Sequence, residues 1–154
     1  MNSIDVHDGV LRVTGIGYLR RITEATTPGG TPFTACDIFA LTGKPGTREL
    51  RRFDTMVLGR VAQALIRQCR TALEADQEIL INFCMRDVQA HTFKYSKGKK
   101  AGQLGSCLKS NLVRIYWIKI DGEFTFQTEP SEMESEDTSA GTDDDPTDLD
   151  DLLL

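Results

Sequence analysis

The chain has 154 residues and a formal net charge of −5, long enough for one ordinary domain with its own core and little more. The charge is uneven. From Glu123 to Leu154 there are twelve Asp or Glu and no Lys or Arg, so the other 122 residues hold all 18 basic side chains against 11 acids, a balance of +7. Read as a whole, the acidity would exclude nucleic acid; a basic body joined to an acidic tail points back towards it.

The chain opens MNSIDVHDG, with neither the basic start nor the apolar run of a signal peptide, and residues 1–8 read as a short extension. VLRVTGIGYLRRI alternates apolar and polar residues as a strand does. Gly15 and Gly17 interrupt it in the manner of a bulge or a barrel bend. TTPGGTP is a turn, FTACDIFAL a second strand, GKPGT another turn, and RELRRFDTMVL a third strand. The period then changes: Val61, Leu65, Ile66, Cys69, Ala72 and Leu73 form one stripe at helical spacing. EILINF returns to strand character and continues through DVQAHTFKY to a basic turn, SKGKKAG. NLVRIYWIKI is the last strand, ended by Asp121-Gly122. Three strands, one helix and two strands predict an all-β domain over residues 9–122. This is a five-stranded OB-fold barrel with the helix between strands 3 and 4, followed by a disordered acidic tail over 123–154.

No phosphate loop, His-Glu-x-x-His or nucleophile elbow is present, so no enzyme is predicted. Cys36, Cys69, Cys84 and Cys107 include no Cys-x-x-Cys pair and stand near neither histidine in sequence. We therefore expect no metal, no cofactor, and reduced thiols in a cytoplasmic protein. No stretch is long and apolar enough to span a membrane.

Binding has more support. His91, Phe93, Tyr95 and Lys97 alternate along one strand, with Lys94, Lys99 and Lys100 close by: rings to stack on unpaired bases and ammonium groups to hold phosphates. In RELRRFDT, Arg51 and Phe53 share one face, with Arg48 and Arg52 on the other. In VRIYWIKI, Arg114 and Tyr116 share a face opposite Trp117, and Arg20 and Arg21 follow Tyr18. Arginine can both pair with a phosphate and stack on a base.

Met56 to Leu65, MVLGRVAQAL, resembles the third strand and helix start of bacterial single-stranded DNA-binding proteins. TPGGTPFTACDIFAL resembles that family's turn and second strand, and EILINF its fourth strand. The likeness covers roughly residues 10–120 and is similar in kind to divergent relatives carried on integrative conjugative elements. It places Arg52 where the family carries a stacking tryptophan. It implies sequence-independent binding of single-stranded DNA in replication, recombination or DNA transfer, by a homo-oligomer, a tetramer or alternatively a dimer. The family's tail ends in an apolar tip, and LDDLLL resembles it. Asp148, Asp150, Asp151, Leu152, Leu153, Leu154 and the free carboxylate suit an apolar pocket ringed by Arg or Lys on a replication or recombination protein. The alternative expectation is an OB-fold adaptor that binds proteins and touches DNA little.

Overall fold

The first alternating segment forms a long strand, β1 (Arg12–Thr26), in the computed structural model, which describes residues 11–128. After it come β2 (Pro32–Thr42), β3 (Glu49–Val57), a helix in two pieces, α1 (Arg60–Gln68) and α2 (Arg70–Glu74), then β4 (Ile79–Lys94), β5 (Leu104–Ile120) and β6 (Glu123–Gln127). The strands lie in the order β3-β2-β1-β4-β5-β6. A parallel pairing of β3 with β5, from Phe53 opposite Leu108 to Val57 opposite Leu112, closes the first five into a barrel. The OB-fold arrangement and the helix between strands 3 and 4 are as the element order predicts.

A closed barrel needs coiled strands, and the chain supplies the irregularities. β1 bulges against β2 between Arg20 and Ile22, and β4 and β5 slip register at Asn82/Phe83, Cys84/Met85 and Arg86/Gln89. At Gly17 a Cβ would stand 2.6 Å from the Phe39 carbonyl oxygen and 2.8 Å from the Ala40 Cα, so β1 and β2 approach too closely there for any side chain. Inside, Leu19, Ile38, Val57, Ile81, Phe83 and Leu112 bring each of the five strands to one apolar core. The helix covers it with Ala62, Leu65, Ile66, Cys69 and Ala72. Val61, expected on this stripe, is instead 64% exposed. The buried positions run 62, 65, 66, 69 and 72, a three-and-four spacing that starts one residue later.

Two boundaries are corrected. Glu123–Gln127 is not tail: Asp121 (φ 51°) and Gly122 (φ 86°) make a two-residue turn, and β6 returns antiparallel along β5, with Phe126 opposite Ile118 and packed on the core. β5 also starts at Leu104, so β4 and β5 extend together as a two-stranded ribbon. Among the described residues no helix is long and apolar enough to cross a membrane.

Candidate nucleic-acid interface

The residues of β2 that alternate with the core positions face outwards, and they form rows with β1 and β3. Tyr18 lies opposite Phe39 and Phe39 opposite Arg52; one step along, Arg20 lies opposite Asp37 and Asp37 opposite Asp54. Asp37 is nearly enclosed, its side chain 8% exposed. Arg21 donates to both of its carboxylate oxygens, at 3.1 and 3.0 Å, and Arg52 donates to one at 3.2 Å. The β1 bulge creates this arrangement. Arg21 is the extra residue, at φ 44°, and the re-aimed side chain reaches across to β2. The hydrogen bond to Asp37 raises the Arg21 pKa above its ordinary value. Two cations offset the desolvation of one carboxylate, and both guanidinium groups remain about half exposed at the surface.

Beside them is an open groove of about 420 Å³ between β1–β2–β3 and the start of the ribbon, lined among others by Arg21, Phe33, Met56, Gln89, Lys109 and Asn111. Asp54 and Asp87 also line it, and Lys109 Nζ stands 3.9 Å from Asp54. The groove is close to charge balance, with Arg21 and Lys109 against Asp54 and Asp87.

Exposed basic side chains are concentrated instead on the ribbon. From Gln89 on the groove, steps of two along β4 reach His91 and Phe93 without a further register slip, and the ring of Tyr95, just past the strand's end, lies beside Phe93 over Gly105 on the same face. His91 and Phe93 stack with centroids 6.3 Å apart, and Phe93 meets Tyr95 edge-on at 5.0 Å. Gly105 makes this possible: a Cβ there would come within 2.8 Å of both rings, which lie across the bare backbone of β5. Lys100 Nζ sits 5.5 Å from the Tyr95 ring centre. Lys97, Lys99 and Lys100 are exposed in the turn, which is closed by hydrogen bonds between Tyr95 and Gln103 and between Gly102 and Tyr95.

The sequence-derived site residues therefore divide. Phe93, Tyr95 and Lys100 come together, with Lys97 and Lys99 in the same turn; Arg21 and Arg52 meet on Asp37; Arg20 lies 5.3 Å from the Tyr18 ring. Lys97 is in the turn, so it does not continue the strand's alternation, and Lys94 falls on the opposite face of β4. Arg48 is exposed just before β3, and Arg51 is paired with Glu49 at 2.9 Å. Phe53 is corrected: it is 9% exposed and part of the barrel core, because β3 turns its odd positions inwards from there to Val57. Tyr116 is corrected likewise, at 4% exposure, with Arg114 beside it at 6.0 Å. Tyr116 is the residue that the β4–β5 ladder skips between Ile115 and Trp117, so the strict alternation read from VRIYWIKI does not hold there. Trp117 is half-buried, edge-on to Phe124 at 5.7 Å, two strands away from β1. Asp148, Asp150, Asp151, Leu152, Leu153 and Leu154 lie outside the described residues. Sequence reasoning passed over Phe33, Met56, Gln89, Lys109 and Asn111. Lys109 and Asn111 carry the right alternation, but nothing in the sequence shows that β3 closes onto β5 beside them.

Burial pushes the Cys36 thiol up to about 12 and the Cys69 thiol up to about 11, so neither is a thiolate at neutral pH. A family model described as a protein of unknown function, DUF3577, matches residues 5–134 and so spans all six strands. No curated protein matches the chain.

Proposed function

We propose that this chain, which belongs to the DUF3577 family, binds single-stranded DNA without sequence preference, in replication, recombination or DNA transfer. The observation that carries the reading is the stripe His91–Phe93–Tyr95. It lies outside the core, runs on from the groove and ends in a turn with three lysines. Rings of this kind accept any base, and nearby ammonium groups accept any phosphate, which is the chemistry of sequence-independent binding. The side of an OB barrel formed by strands 2 and 3, with the loop between strands 4 and 5, is where that fold takes oligonucleotides. Under this reading the acidic tip recruits partner proteins, and the chain works as a homo-oligomer.

The test is a competition measurement on the variant with Lys97, Lys99 and Lys100 all changed to Glu. Binding to oligo-dT should weaken at least tenfold at low salt, and the dependence of affinity on salt should become shallower. Unchanged affinity in a folded variant would instead favour a protein-binding adaptor.

A further inference from the structure

One register row crosses all six strands on the outside of the sheet. Arg52, Phe39, Tyr18, Leu80, Lys119 and Phe124 are each the cross-strand partner of the next. At about 4.8 Å per strand the row is about 24 Å long measured along the sheet. Its far end is a cluster of its own. Lys119 Nζ sits 4.6 Å from the Phe124 ring centre and 5.5 Å from that of Trp117, and Phe124 is 50% exposed. Nearer the groove, Arg20 lies over Tyr18. The residues of β1, β4 and β5 on this face, Ile16, Tyr18, Leu80, Trp117, Lys119 and the buried Asn82, include no acid.

We infer that Trp117, Lys119 and Phe124 form a second stacking site, reached by a single strand that leaves the groove and follows this row across the sheet. The inference rests on the proposed function and extends it. An apolar protein surface would gain little from cations seated on the rings of Tyr18 and of the Trp117–Phe124 cluster. A polyanion with flat bases uses both features, the ring faces for bases and the cations for phosphates. OB domains take roughly 4–16 nucleotides; the groove and ribbon account for the short end of that range, and the row for the long end.

Trp117 is the chain's one tryptophan, so its emission reports on the far end without any substitution. The full chain is titrated with labelled oligo-dT of about 5 and about 16 nucleotides, following label anisotropy and tryptophan emission together. Both oligonucleotides should raise the anisotropy, and only the longer should quench Trp117. Phe124→Ala should then cut the affinity advantage of the longer one by roughly five- to a hundredfold. Binding of the longer oligonucleotide with unchanged emission would overturn the second site. So would emission that moves with protein concentration alone, as it would if a second copy covered the row. If neither oligonucleotide binds, the parent reading fails and the inference falls with it.

Discussion

Phe53 and Phe93 each stand beside basic residues in sequence, and their surroundings give them opposite roles. Phe53 is packed in the core between β2 and β5, whereas Phe93 lies over Gly105 on the ribbon, outside that core. Phe53→Ala should cost about 3–5 kcal/mol of stability, as a large buried side chain does. Phe93→Ala should cost little stability but weaken oligo-dT binding by about 1–3 kcal/mol, the worth of one base stack. Chemical denaturation and a binding titration on both variants separate the two effects. Which residues face out was only partly legible. The alternation His91–Phe93–Tyr95 reads correctly because the ladder there is regular. That of Arg114–Tyr116 does not, because the ladder skips Val113 and Tyr116 on β5, which interrupts the pattern, and no residue in VRIYWIKI announces it. The Asp37 pairing with Arg21 and Arg52 was equally hidden, since it depends on a bulge at Arg21.

At the level of elements, the barrel was readable from strand order, turn residues and one change of period, because each of those signals is local. The closure of β3 onto β5 is not local, and the groove that it borders was therefore missed. β6 was missed for another reason: its alternating Phe124 and Phe126 are embedded in acidic residues, and composition masked the pattern. The glycines in β1 were the clearest long-range signal, and they yield a sharp expectation. Gly17→Ala puts a Cβ against backbone atoms of Phe39 and Ala40 that cannot swing away. It should destabilise the barrel by at least about 1–3 kcal/mol, seen as a lower melting temperature. A melting temperature equal to that of the unmodified chain would mean that β1 and β2 lie farther apart than described.

For the whole molecule, the buried thiols contribute a loss of stability at alkaline pH. An ordinary thiol has a pKa of 9.0, while folding holds Cys36 near 12 and Cys69 near 11. Above pH 9 the unfolded chain releases protons that the folded chain keeps. The stabilisation is therefore complete below about pH 9 and is lost as pH rises towards 11 and 12. Thermal melts at pH 8 and pH 10 should show the fall, and Cys36→Ala should make it smaller relative to that variant's own stability at pH 8. Charge organises the molecule on the same scale. The groove is nearly neutral, the turn of the ribbon is basic, and residues 129–154 contain eleven acids and no base. Affinity for DNA should therefore follow salt steeply although the chain as a whole is acidic.

That dependence gives the most direct measurement: fluorescence anisotropy of labelled oligo-dT titrated with the full chain at two salt concentrations, with a duplex of equal length as control. If about four phosphates are neutralised, tripling the salt should weaken single-strand binding roughly twentyfold, with little binding to the duplex at either salt. No binding of oligo-dT at low salt by a folded sample, or equal binding of the duplex, would contradict a single-strand interface on this barrel.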